Sequence, residues 1–180
     1  MFAGFICCEV LLLLNFKNEK ISIFLLALCI LPLIMVPYIL DKIKVFNMNE
    51  KLIFIYYLFL LLALILGSIF GFYRRIWWFD LFTHFTSGFL TSLVAYFLLK
   101  KNNLISKKYK WFNFLFILIF SISIAGIWEF FEFTIDQFGL NVQHSLETGV
   151  NDTMEDMLVA TLAGFISSFY YLNYMNKRSS

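Results

Sequence analysis

Long apolar stretches separated by short charged ones set the pattern of this chain. Ile21 to Leu40, Leu52 to Tyr73, Trp111 to Trp128 and Met157 to Asn176 contain no charged residue, and Leu81 to Leu99 is interrupted only by His84. Each approaches the ~18–20 residues that cross about 30 Å of hydrocarbon as a helix. Phe2 to Leu14 is a sixth, shorter run that contains Glu9. The pattern predicts an all-α polytopic membrane bundle of about six transmembrane helices, at 2–14, 21–40, 52–73, 79–99, 111–135 and 154–175, in a single domain over 1–180. No internal repeat divides it.

Composition supports the same class. Hydrophobic residues make up 61% of the chain and charged ones 14%, with 24 Phe, far from the soluble average of about 45–50% and 25%. A net charge of +2 with Lys and Arg confined to short loops argues against a nucleic-acid partner. The first run lacks the basic leader and small-residue cleavage site of a signal peptide, so it is expected to be retained. Cys7, Cys8 and Cys29 have no metal-type spacing and read as packing residues.

Six spans would place ten Lys and Arg residues with the two termini and four (Lys17, Lys20, Arg74 and Arg75) on the opposite side. Lys and Arg in short loops stay on the cytoplasmic side, so both termini are expected there. Trp77 and Trp78 then mark the outer interface, and Tyr109 and Trp111 the inner one. Pro32 and Pro37 are expected to kink the second span, because each removes a helical hydrogen bond.

Polar residues at one membrane level change the picture. Asp80 and His84 open the fourth span, Glu129 and Glu132 close the fifth, and Asp152 and Asp156 open the sixth. Residues three or four apart share a helix face. Small residues continue each stripe below the acids: Gly88 and Ala95, Ser121 and Ala125, then Ala160, Ala163 and Gly164. Such residues let membrane helices approach closely. Five carboxylates meeting there could not all stay ionised and unpaired, since each charge in a bilayer costs at least ~2.5–3.5 kcal/mol. Arg74 and Arg75, shared protons, or a divalent ion would have to offset them.

An acid-rich set with one imidazole suits Zn, Mn, Fe or Mg rather than a thiolate-loving metal, and paired ligands on facing helices build carboxylate sites in bundles. Asp80, His84, Glu129, Glu132, Asp152 and Asp156 are therefore the expected metal ligands. Taken singly, Asp80 and Asp152 could be helix caps, the latter with Glu155 in a D-x-x-E arrangement. Glu129 and Glu132 have no such role, because they sit late in a helix where the dipole disfavours negative charge. Asp136, His144 and Glu147 belong to a polar loop without Lys or Arg and read as solvated. Glu9, an acid in an apolar segment, is functional by default.

The segments "WWFDLFTHFTSGF", "WEFFEF" and "DTMEDM" resemble those of the YjdF-like bacterial inner-membrane family of unknown function, and more distantly VanZ-like membrane proteins. The resemblance covers roughly 67–170, with generic hydrophobic helices before it. It implies that Asp80, His84 and Gly88 fill a D-x-x-x-H-x-x-x-G pattern, Glu129 and Glu132 an E-x-x-E, and Asp152, Thr153 and Asp156 a D-T-x-x-D. Gly149, Val150 and Asn151 depart from the family's approach to that last motif, which is longer and carries an acid. The family implies a bacterial plasma membrane location and no particular activity.

The expected function is that of a metal-dependent hydrolase or transferase acting on a lipid or lipid-linked phosphate. Glu129, Glu132 and His84 would do its acid–base work, and Arg74 and Arg75 would bind substrate phosphate. The partners are membrane lipids and a lipid-linked substrate. A cation or proton-coupled transporter and a non-catalytic protein with a structural polar network remain open as alternatives.

Overall fold

A computed structural model describes residues 20–43, 49–106, 108–137 and 145–177; most of these are helical, with no strand among them. The expected span at 2–14 with Glu9, and His144, lie outside the described residues, as do the side chains of Asp136 and Glu147. The helices are α1 (Lys20–Lys42), α2 (Glu50–Leu60) running on as a π-helical stretch (Leu61–Ile69), a short α3 (Phe72–Arg75), α4 (Phe79–Lys101), α5 (Lys110–Gln137) and α6 (Ser145–Lys177).

Among the described residues, three helical stretches are both long and apolar enough to cross a membrane: Glu50–Ser68, Phe79–Lys101 and Lys110–Thr134. At 23 and 33 residues, α1 and α6 have the length as well, at ~1.5 Å per residue. Polar residues that lower the apolarity of α6 turn inward, where Ser167 and Ser168 are buried. The lipid-facing sides are apolar, with Ile119 and Ile127 on α5 and Leu158 and Leu162 on α6 all exposed. Trp77, 86% exposed, and Trp111 stand clear of the bundle near the starts of α4 and α5.

The tightest packing joins α4, α5 and α6. Small residues make it so. A Cβ on Gly88 would run into the Ala160 carbonyl oxygen and Ala163, and one on Gly164 would lie 2.9 Å from Ser121 Oγ. Several hydroxyls in the seam are satisfied locally: Thr91 and Ser121 share a 3.0 Å hydrogen bond, and Ser92 donates to the Gly88 carbonyl at 2.8 Å. Below them Tyr96 stacks on Tyr171 at 4.5 Å, beside the fully buried Leu99 and Ile117.

Both prolines lie inside α1. Pro37 has no N–H to give the carbonyl four residues earlier, Leu33, and the Tyr56 hydroxyl of α2 supplies the missing donor at 2.6 Å. Tyr57 donates to the next carbonyl, Ile34, at 3.1 Å. Neighbouring side chains repair broken membrane helices in this way, and here two tyrosines also tie α1 to α2.

The expected second long span, 52–73, is shorter in the structure. Its helix changes to π geometry at Leu61 and ends at Ile69, and Gly71, in the left-handed region at φ 70°, turns the chain into α3. π-helical stretches are rare and gather at functional sites.

Candidate functional site

Three helix ends meet around one imidazole. His84 sits in the second turn of α4 and is 6% exposed. Its Nε2 lies 3.5 Å from Asp80 Oδ1 and 3.7 Å from Asp156 Oδ2, and its Nδ1 lies 3.7 Å from Glu129 Oε1. Glu129 (6% exposed) and Asp156 (2%) are as deeply buried as the histidine, while Asp80 is half-buried. The spacings follow from helix geometry: Asp80 and His84 are one turn apart on α4, and the close approach at Gly88 brings α6 alongside.

Glu132, one turn beyond Glu129, is held by Trp128, whose indole N–H donates to Oε1 at 2.7 Å. On the α6 side, the Thr153 side chain stands beside Glu129. Glu129 Oε1 and Asp156 Oδ1 nevertheless have no hydrogen-bond partner although both are buried. A buried acceptor without a donor is costly, more so when charged. Even a protonated His84 would leave most of the charge of four carboxylates unbalanced. No Lys or Arg ion pair reaches them among the described residues.

Arg74 and Arg75 therefore do not balance the cluster as the sequence suggested, and both are exposed. The short α3 turns their neighbour Tyr73 inward instead. Its ring lies against Gly67 so closely that a Cβ there would collide with it, and it packs edge-on to Phe79 at 5.3 Å. The Tyr73 hydroxyl stands beside Thr83, and burial pushes its pKa above the ordinary value. Nothing in the periodicity of 52–73 marks Tyr73 as part of the site, because its position depends on the π-helical end and the turn at Gly71.

Asp152 stands at the rim. It is half-buried, and its charge is felt by Asp80 and Glu129, but it falls outside the two groups whose ligand atoms all lie within 4.8 Å of one another, Asp80–His84–Asp156 and His84–Glu129–Glu132. The reason is the start of α6, where Gly149 breaks the helix at φ 76°, ψ −169°, so Asp152 comes in the first turn after the break and Asp156 one turn deeper. Asp80 is not a helix cap, since Trp78 holds that position without a side-chain bond.

The donor set fits a divalent ion. Ligands ~2.1 Å from a tetrahedral ion lie about 3.4 Å apart, close to the 3.5 and 3.7 Å separations around Nε2. One imidazole nitrogen can bind while a carboxylate orients the other, and Glu129 lies on the Nδ1 side. The match to a family model covers residues 1–177, and that family is described as predicted membrane protein (DUF2238). The chain belongs to this family. As a DUF2238 member it matches through the N-terminal helices as well as the polar segments. No curated protein and no solved structure matches it.

Proposed function

We propose that this DUF2238 protein is a metal-dependent hydrolase or transferase of the bacterial plasma membrane, acting on a lipid or lipid-linked phosphate at the outer face, with both termini cytoplasmic. The observation that carries the reading is the pair of buried, unpartnered carboxylate oxygens, Glu129 Oε1 and Asp156 Oδ1, on residues flanking one imidazole. Asp80, His84 Nε2 and Asp156 would hold the ion, with Asp152 at its outer edge. A bound divalent ion supplies Lewis acidity toward a phosphoryl or carbonyl oxygen, or lowers the pKa of a water.

The protein's own groups have separable tasks. Glu129, 3.7 Å from His84 Nδ1, would orient the ring once the ion is held. Glu132, held by Trp128, would act as general base. Arg74 and Arg75, exposed just before α4, are free to meet a headgroup phosphate, and arginine forks match phosphate oxygens. The acids gather at helix ends rather than at mid-membrane, where transporter sites usually lie, which favours an enzyme over cation or proton transport.

Metal content of the purified protein tests this. Wild type loaded with Zn, Mn, Fe or Mg should retain near-stoichiometric ion, and Asp156→Asn and His84→Ala should lose it while an Arg75→Gln control keeps it. No retained ion in wild type, or equal retention in all four, would sink the reading in favour of a structural polar network. Metal-dependent turnover of phospholipid or polyprenyl phosphate then separates catalysis from transport, which would instead appear as ion flux in sealed vesicles.

A further inference from the structure

On the side of His84 away from α6 lies a partly open cavity of about 170 Å³. Its walls are almost wholly apolar, with Leu33 of α1, Leu60 and Ala63 of the α2 and π-helical stretch, and Leu90 of α4. Tyr73, Thr83 and His84 line its polar end, and Ser87 and Thr91 add two hydroxyls along α4. From Thr83 to Thr91, which also borders it, α4 rises ~12 Å at 1.5 Å per residue. The space thus extends about 12 Å along α4. A cavity of ~150 Å³ lined by aliphatic side chains stays dry and holds benzene, so this one accommodates a short run of carbons in single file.

We propose that this cavity is the seat for one hydrocarbon chain of the substrate, an alkyl or isoprenyl chain whose polar end lies at the His84 cluster; the proposal rests on the reading of that cluster as the reaction site. Two observations select this occupant. Three of the elements that wall the space, α2 with its π-helical stretch, α4 and α5, are long and apolar enough to cross a membrane, so the apolar ligand at hand is lipid hydrocarbon. The same imidazole that forms the polar end of the cavity also faces Asp80, Asp156 and Glu129, so a chain seated there presents its headgroup to the acids. The Tyr56–Leu33 hydrogen bond holds one wall of the cavity, since Leu33 and Tyr56 both line it.

The test uses the full chain in nanodiscs and decyl phosphate with a mid-chain diazirine, photolysed and mapped by peptide mass spectrometry. Label is expected on the segments around Leu60 and Leu90. Ala63→Phe, which fills the space, should lower the yield about tenfold, the equivalent of ~1.4 kcal/mol, and keep wild-type metal content. Excess decanol should displace the probe and inorganic phosphate should not. Label spread over lipid-facing positions such as Ile119 and Leu158 without enrichment at the cavity would overturn the proposal even if Ala63→Phe failed to fold. So would an unchanged yield in a folded Ala63→Phe, or displacement by phosphate alone. If wild type holds no metal while the label still seats beside Leu60 and Leu90, the metal reading fails and the chain site stands.

Discussion

Gly88→Ala adds a single methyl group where α4 and α6 come closest. The new carbon would collide with the Ala160 carbonyl oxygen and stand 2.8 Å from Ala163 Cβ, whereas non-bonded carbons settle ~3.5–4.0 Å apart. Neither neighbour is the free end of a flexible side chain, so the helices must part by roughly 1 Å. One turn higher, the same displacement would stretch the 3.7 Å separation of His84 Nε2 and Asp156 Oδ2 beyond ion-pair reach. Overpacking of this kind costs ~1–3 kcal/mol. Gly126→Ala is the matched control: its Cβ would meet only Met157 Cε at 3.7 Å, an ordinary contact, and replacing a mid-helix glycine gains ~0.5–1 kcal/mol. Denaturant unfolding of both variants in one detergent, with metal retention measured in parallel, reads the difference. Gly88→Ala should unfold earlier than wild type and lose metal, and Gly126→Ala should do neither. The reasoning is refuted if the two variants unfold together or if Gly88→Ala keeps full metal content.

Tyr56→Phe removes the donor that caps the Leu33 carbonyl and should destabilise by ~1–3 kcal/mol, the cost of a buried acceptor left without a partner. In a Pro37→Ala background the restored N–H takes over that carbonyl, so the same substitution should cost clearly less; equal losses in both backgrounds would show that the tyrosine acts by packing alone. Trp128→Phe strips Glu132 Oε1 of its indole donor and should lower metal-dependent turnover ~10–100-fold with metal content and folding intact, as misplacing a general base does. Unchanged turnover would remove Glu132 from the acid–base work. Gly149→Ala should lower unfolding stability by ~1–3 kcal/mol, because φ 76°, ψ −169° lies in a region essentially reserved for glycine; a neutral result would mean that the break before Asp152 can be rebuilt as continuous helix.

How much of this was legible in the chain depends on whether a feature is local to one helix. The i,i+3 and i,i+4 stripes are local. That Asp80, His84 and Gly88 share a face of α4, or Asp156, Ala160 and Ala163 a face of α6, follows from helix geometry alone, and an all-α membrane bundle followed from the uncharged runs. Features that depend on a change in backbone hydrogen bonding were not legible. Leu52 to Tyr73 reads as one apolar run, because hydropathy has no term for a shift to π geometry at Leu61 or a left-handed turn at Gly71. Those two changes fold Tyr73 back onto Gly67 and into the site, and they leave Arg74 and Arg75 pointing out. Asp152 and Asp156 were equivalent by spacing for the same reason, until the break at Gly149 put one at the rim and the other in the interior. The sequence pattern also hid a role of Pro37, which read as a kink and whose missing N–H leaves the Leu33 carbonyl to the Tyr56 hydroxyl. The π-helical end, the turn at Gly71 and the Tyr56–Leu33 bond act on the side of His84 that faces the apolar cavity, whereas the legible stripes, trimmed by the break at Gly149, build the side that faces the acids. The imidazole therefore joins a half of the site written mainly in helical periodicity to a half written in backbone irregularity, and substitutions in the second half should alter which chain is accepted before they alter whether metal is held.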